Sequence, residues 1–313
     1  MRVFVTGVAG QLGHDCMIEL EKRGHRSIGS DISSVPSYLP SRTEPHEADT
    51  LDPSYFQLDI TNEQLVKETI GKLKPDAIIH CAAWTAVDAA EDEENRAKVD
   101  AINHLGTQYI AEAAKDVDAK MVYISTDYIF DGKGDRPWQP DDKNYAPINV
   151  YGSSKLAGEL AVSSTLDKFF IVRIAWAFGL NGKNFIKTMI NIGKTRDTVR
   201  VVNDQIGTPT YTYDLARLLV DMIETDKYGY YHATNSELAP GKFISWADLA
   251  EETYRAAGMD VKVTRVTTAE YGLSKAARPL NSRLDKSKLV ESGFKPLPEW
   301  KDAVKRYLAE AKL

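Results

Sequence analysis

Tyr151-Gly152-Ser153-Ser154-Lys155 places a phenol and an ammonium four residues apart. In a helix that spacing puts both side chains on one face, a single turn apart. A free tyrosine has a pKa near ~10, too high for easy proton exchange at neutral pH, and an adjacent cation favours the phenolate and lowers that value. The pair is therefore expected to pass a proton to or from an alcohol or sugar oxygen. Taken alone, it is also a common helix-surface pattern. Upstream, Ser125-Thr126-Asp127-Tyr128 ends an apolar run in polar groups. Thr126 can donate a hydrogen bond to the reacting oxygen and Tyr128 can line a sugar pocket, or the segment is simply a polar turn at a strand end.

A second constellation opens the chain. Gly7-Val8-Ala9-Gly10-Gln11-Leu12-Gly13 follows Val3-Phe4-Val5 and leads into a helical pattern, the context of a dinucleotide-binding turn. Glycine lets the backbone approach a pyrophosphate, and the helix start offers unpaired N–H groups and a positive dipole end. The spacing is GxxGxxG rather than the GxGxxG of the standard dehydrogenase fingerprint, and tight strand-to-helix packing would also account for the glycines. Asp31 follows the second strand, roughly 20 residues on, where a carboxylate accepts hydrogen bonds from the adenosine ribose hydroxyls. It would repel a 2′-phosphate, and the turn has no Lys or Arg to bind one, which favours NADH over NADPH. The alternative is an aspartate capping a loop. With a nicotinamide dinucleotide in this turn, the Tyr151 proton would accompany a hydride.

Short β-branched runs alternating with helical patterns must position these groups. Strands are expected at Val3 to Val5, Arg26 to Ser30, Phe56 to Leu58, Ala77 to His80, Met121 to Ile124 and Phe169 to Ile174, with helices over Asp15 to Lys22, Glu63 to Lys72, Glu94 to Lys115 and Tyr151 to Ser163. That order predicts an α/β fold, a Rossmann-type doubly wound parallel sheet. Beyond about Ala177 the pattern is irregular, with helices near Asn184 to Ile192, Thr212 to Ile223, Ser245 to Ala257 and Trp300 to Lys312, which suits a smaller C-terminal substrate-binding domain. The stretch from Ser33 to Ser54 carries Pro36, Pro40, Pro45 and Pro53 and exceeds the roughly 2–6 residues usual for such a connection. It reads as a surface insertion near the adenosine end of the nucleotide site.

Composition removes other classes. The 313 residues include 39 Lys and Arg against 45 Asp and Glu, a net charge of −6, which argues against a nucleic-acid-binding surface. Cys16 and Cys81 are too few for a disulfide framework, and neither lies in a CxxC pair, so a reducing compartment is expected. No run approaches ~18 apolar residues and the opening run is too short for a signal-peptide core, so a cytoplasmic protein with no membrane partner is expected. The six histidines are scattered without ligand spacing, and no protein-built metal site is expected.

Longer segments add a resemblance. These are Cys81-Ala82-Ala83-Trp84-Thr85-Ala86-Val87-Asp88-Ala89-Ala90-Glu91, Ser125 to Gly132, Asn149 to Glu159, Arg173 to Gly179, Val201 to Thr210 and Arg278-Pro279-Leu280-Asn281-Ser282-Arg283-Leu284. In that order the chain resembles the extended short-chain dehydrogenase/reductases, and among them those that reduce the 4-keto group of dTDP-4-dehydro-β-L-rhamnose to give dTDP-L-rhamnose. The resemblance implies that Thr126, Tyr151 and Lys155 are the catalytic set, with Asn103 at the place of a supporting asparagine that also borders the cofactor. Gly7, Val8, Gly10, Gln11, Leu12, Gly13, Asp31, Asp59 and Ile60 would wrap the dinucleotide, and Ala82, Ala83, Tyr151 and Lys155 its nicotinamide ribose. Thr85, Val87, Asp127, Tyr128, Trp176 and Asn281 would face the sugar nucleotide. Arg278 and Arg283 would hold its diphosphate, or else make surface ion pairs. Trp84 stands where histidine is common in the resembling enzymes. Residues 1–176 and 207–233 would form the NAD(P)-binding Rossmann domain, and 177–206 and 234–313 the nucleotide-sugar-binding domain. NADPH or NADH, a magnesium ion, and a monomer or homodimer are all compatible with the resemblance. Two other readings share these residues: a reductase or epimerase acting on another nucleotide sugar, and a non-catalytic regulatory subunit of methionine adenosyltransferase.

Overall fold

Apolar runs without polar alternation form strands covered on both faces, as parallel sheets require. In the computed structural model, which describes residues 1–33 and 54–313, β1 (Arg2–Thr6) leads through α1 (Gln11–Lys22) to β2 (Arg26–Asp31) and β3 (Tyr55–Gln57). Then come α2 (Glu63–Leu73), β4 (Ala77–His80), α3 (Glu93–Asp100), α4 (Gly106–Asp116), β5 (Lys120–Thr126), α5 (Val150–Thr165) and β6 (Phe169–Ile174). Most of the insertion expected between the second and third strands lies outside the described residues.

The irregular half contributes β7 (Ala177–Phe178), α6 (Phe185–Gly193), β8 (Thr198–Val202), β9 (Ile206–Gly207), β10 (Thr210–Tyr211), α7 (Thr212–Ile223), β11 (Gly229–His232), β12 (Ile244–Ser245), α8 (Trp246–Ala256) and β13 (Lys262–Val266). Helices α9 (Thr268–Tyr271), α10 (Ser287–Glu291) and α11 (Trp300–Ala311) complete the chain. The main sheet runs β11-β6-β5-β4-β1-β2-β3, and every pairing in it is parallel. The chain leaves β1 toward β2 on one side and returns to β4 on the other, so a crevice opens outside the carboxyl ends of these strands, where ligands of such sheets bind. β11 had no expected counterpart. Its segment, Gly229-Tyr230-Tyr231-His232, is short and only half apolar, and becomes a strand by pairing with β6.

One face of the sheet packs Val3, Val5, Ile79 and Val172 against Leu12, Cys16 and Leu20 of α1 and Leu215 and Leu219 of α7. The other packs Phe4, Ile78, Met121 and Ile171 against Val66 and Ile70 of α2, Ile110 and Ala114 of α4 and Val162 of α5. A separate cluster joins Phe178, Ile186, Ile190, Tyr211, Leu249, Trp300 and Tyr307, beside the parallel pair β13 and β8. Among the described residues, no helix is long and apolar enough to cross a membrane.

The helix expected over Glu94 to Lys115 is interrupted by a π turn, Ala101–Leu105. The extra residue carries Asn103 into the interior, where its amide is fully engaged. Its Oδ1 accepts from the Trp84 backbone N–H at 2.8 Å, and its Nδ2 donates to the Trp84 carbonyl at 3.1 Å and to Ser154 Oγ at 2.9 Å. Single π turns of this kind concentrate near functional sites, and this one ties the segment after β4 to α5.

Candidate active site

The glycine turn comes first because it fixes where a dinucleotide can lie. Gly7 has φ of 72°, and a Cβ built on it would fall 2.6 Å from the Ala82 nitrogen. A Cβ on Gly13 would fall 2.3 Å from the Gly7 carbonyl oxygen, so any side chain there drives α1 away from β1. Asp31 closes the turn: its Oδ2 accepts from the Ala9 N–H at 2.9 Å and its Oδ1 from the Ser33 N–H at 3.4 Å. The turn, Asp31, Asp59, Ile60, Ala82 and Ala83 line one cleft of about 790 Å³, and Thr126, Tyr151 and Lys155 line its other part. A backbone cradle that only glycine keeps open, with a carboxylate beside it, fits a dinucleotide.

Asn149 starts α5 by accepting the Gly152 N–H at 2.7 Å, while its Nδ2 donates to the Ala277 carbonyl at 2.9 Å. The cap places Tyr151 and Lys155 in the first two turns of the helix, over the end of β5. The Tyr151 ring meets Tyr128 edge-on at 5.6 Å. Lys155 is 3% exposed, and its Nζ lies 4.1 Å from the centre of the Tyr123 ring. Burial pulls its pKa from 10.5 down to about 7, with Glu159 and Cys81 opposing. Beneath it, burial holds His80 neutral, its pKa lowered to about 3 with the Lys155 charge adding to the effect. The His80 ring nitrogens meet Thr6 Oγ1 at 2.7 Å and Thr107 Oγ1 at 3.1 Å.

Tyr151 departs from expectation. Its pKa is raised, not lowered: burial comes first and the Asp127 charge second, with the Thr126 hydroxyl pulling weakly the other way. A lysine titrating near neutrality carries only part of a positive charge, so it does not overcome the desolvation of the phenolate. The phenol is thereby kept protonated, the form that donates. Asp127 is 1% exposed and burial pushes its pKa up to about 7, against hydrogen bonds from Ser282, Thr126 and its own backbone. Its Oδ2 and Ser125 Oγ are buried with no hydrogen-bond partner. Such orphans on a cleft wall suit ligand hydroxyls, because leaving them unpaired costs about 1–3 kcal/mol each.

Thr85, Val87, Asp127, Tyr128 and Trp176 also line the cleft. Trp176 has φ of 53° although it ends no helix, a left-handed conformation that costs a non-glycine residue about 1–2 kcal/mol and recurs at functional sites. Five other residues expected to meet a ligand are engaged by the protein itself. Val8 is wholly buried under the turn, and Asn103 is spent on Trp84 and Ser154. Arg278 pairs with Asp88 at 2.7 Å, Asn281 Nδ2 donates to the Lys133 and Arg136 carbonyls, and Arg283 donates to Asn281 Oδ1 at 3.0 Å. None of these five lines the cleft, and besides its ion pair Arg278 keeps a buried Nη1 with no hydrogen-bond partner.

Sequence reasoning missed Lys98, Lys183 and Trp246, all on the cleft wall. Asn184, which caps α6, also donates to Gln11 Oε1 at 3.1 Å and so ties the Lys183 loop to the glycine turn. A signal existed at Gly182-Lys183-Asn184, where a glycine and a cap precede a helix. Among the described residues, no group of three His, Cys, Asp or Glu is placed to hold a metal ion.

With this geometry the comparisons with known proteins agree. Residues 1–313 match the family model of the RmlD substrate binding domain. A dTDP-4-dehydrorhamnose reductase from Salmonella typhimurium is 40% identical, over 99% of this chain and 98% of that protein. The crystal structure of a dTDP-4-dehydrorhamnose reductase from Clostridium acetobutylicum has a TM-score of 0.87 at 38% identity and covers 100% of both chains. The Bacillus anthracis enzyme of the same name, solved in complex with NADP, has a TM-score of 0.85 at 38% identity over 99% of each chain. A Rossmann-type sheet, a glycine turn and a Thr-Tyr-Lys set on one cleft thus accompany full-length similarity, and the chain belongs to the dTDP-4-dehydrorhamnose reductase family.

Proposed function

We propose that the protein reduces the 4-keto group of dTDP-4-dehydro-β-L-rhamnose to give dTDP-L-rhamnose. The observation that carries this reading is the meeting of Thr126, Tyr151 and Lys155 with the glycine turn in a single cleft. Reduced nicotinamide dinucleotide, when bound, supplies a hydride. The N–H groups that begin α1, at Gln11, Leu12 and Gly13, would hold its pyrophosphate, with Gly7 and Gly10 keeping the backbone open to it, while Asp31 would hold its adenosine ribose and Ala82, Ala83 and Lys155 its nicotinamide ribose. Thr126, whose single hydroxyl hydrogen goes to Asp127 Oδ1 at 3.1 Å, would redirect it to the C4 oxygen and hold that oxygen in line. Tyr151, kept protonated by burial and by Asp127, donates its proton to that oxygen as negative charge develops there. The Lys155 ammonium, near neutrality already close to giving up its proton, can restore the phenol. Asp127 and Ser125 offer their free oxygens to sugar hydroxyls.

The Asp31 carboxylate favours NADH over NADPH by charge. The test is loss of nicotinamide absorbance with dTDP-4-dehydrorhamnose against the uridine and guanosine diphospho-4-keto sugars, each with NADH and NADPH. Preferential oxidation with the thymidine sugar supports the reading. Equal or greater rates with another base assign the cleft to a different nucleotide sugar.

A further inference from the structure

Trp246 opens α8, and its indole stacks on that of Trp176 with ring centres 4.1 Å apart and planes 22° from parallel. Both residues line the cleft, yet their backbones come from distant parts of the chain. Trp176 follows β6, and in the sheet order β6 lies on the far side of β5, which carries Thr126, from β1 and its glycine turn. Trp176 is thus at the sugar-nucleotide end of the cleft rather than the dinucleotide end. It sits in the strained backbone conformation described above, which persists only where the surroundings impose it.

Trp176 packs between the clusters around Phe178 and Phe130. Its carbonyl accepts the Thr210 N–H at 3.2 Å, and its side chain rests on Trp246. Trp246 is itself held firmly. Ser245 and Asp248 form a reciprocal capping box around the start of α8, β12 pairs Ile244 with Gly207, and Phe185 packs against the indole at 4.7 Å. The separation of the two indoles is that of rings in contact, so no third ring enters between them. A ligand meets the pair as a single apolar wall.

We infer that Trp246 is a positioning residue for the sugar nucleotide, setting the Trp176 indole against it from the start of α8. This rests on the proposed function for the identity of the ligand, and its test reads binding rather than turnover. An aromatic pair of this kind makes a contribution equivalent to roughly 3- to 10-fold in a binding constant. Binding of dTDP-L-rhamnose would be followed by quenching of indole fluorescence in the wild type, Trp246→Ala and Trp246→Phe, with dinucleotide binding measured on the same samples. Coupling between the stacked indoles would be read from the far-ultraviolet circular dichroism.

Expected are a roughly 3- to 10-fold weaker affinity for the sugar nucleotide in Trp246→Ala, loss of the coupled dichroism, a dinucleotide affinity within twofold of wild type, and substantial rescue by Trp246→Phe. In turnover, KM for the sugar nucleotide should rise by more than kcat falls. Unchanged sugar-nucleotide affinity despite loss of the coupled dichroism would overturn the inference. Equal weakening of both ligands would also overturn it, by showing a structural role only. If the wild type binds dTDP-L-rhamnose but turns over no keto sugar, the proposed function fails while the binding comparison still decides the role of Trp246. If the wild type does not bind dTDP-L-rhamnose, both fail.

Discussion

Replacing Lys155 by Met should stabilise the free protein while abolishing its activity, because the lysine is held in a place that disfavours its charge. Its pKa falls from 10.5 to about 7 through burial. At about 1.4 kcal/mol for each tenfold change in proton affinity, this sets a ceiling of about 5 kcal/mol on the penalty. Relaxation and water penetration reduce such penalties, so a gain of about 2–4 kcal/mol at pH 7 is expected. The substitution strands no partner: Glu159, the main group favouring the ammonium, is held by Arg173 through two bonds of 2.9 Å.

The pH dependence has a definite sign. The folded pKa lies below the unfolded one, so the unfolded chain binds the extra proton between about pH 7 and 10.5, and wild-type stability from this group rises with pH across that window. The advantage of Lys155→Met should therefore be full at pH 7 and below and shrink steadily toward pH 10. Urea unfolding of both proteins without cofactor at pH 6, 7, 8.5 and 10 measures it. A variant no more stable than wild type at pH 7, or a difference that does not change with pH, would refute the assignment of Lys155 as a desolvated cation.

Tyr151→Phe should lower kcat by about 10²- to 10⁴-fold and leave the dissociation constant of NADH nearly unchanged, as stopped-flow turnover and fluorescence titration would report. Asp31→Ser should narrow the preference for NADH over NADPH by about tenfold, read from kcat/KM with each; a wild type that already uses both equally would remove the charge argument. Gly13→Ala should abolish dinucleotide binding by calorimetry, since the added carbon falls 2.3 Å from the Gly7 carbonyl.

Strand-helix alternation and the glycine turn were legible because each is a local pattern, set by period and by backbone freedom. Tyr151 and Lys155 were legible for the same reason, being one helical turn apart. The direction of the Tyr151 shift was not, because it depends on how deeply α5 and β5 bury the phenol and on Asp127, which lies well before it in the chain. Arg278 and Arg283 have the chemistry of phosphate ligands, and Asp88 and Asn281 engage them as well, partners that emerge only from the tertiary fold. Conversely, Lys183 stood beside nothing more than a helix start and Trp246 in a segment with no chemical pattern of its own, and both joined the cleft because α6 and α8 pack against its wall. β11 shows the same limit for the fold, since its strand character comes from the edge of β6.

The most direct measurement of the reductase assignment follows the hydride itself. Nicotinamide dinucleotide deuterated at the transferable position would be incubated with the protein and dTDP-4-dehydrorhamnose, and the product examined by proton NMR. Deuterium at C4 of dTDP-L-rhamnose, one per molecule and retained in ordinary water, is the expected result. A product bearing only solvent hydrogen at C4, or no product from protein that binds the dinucleotide, would contradict it.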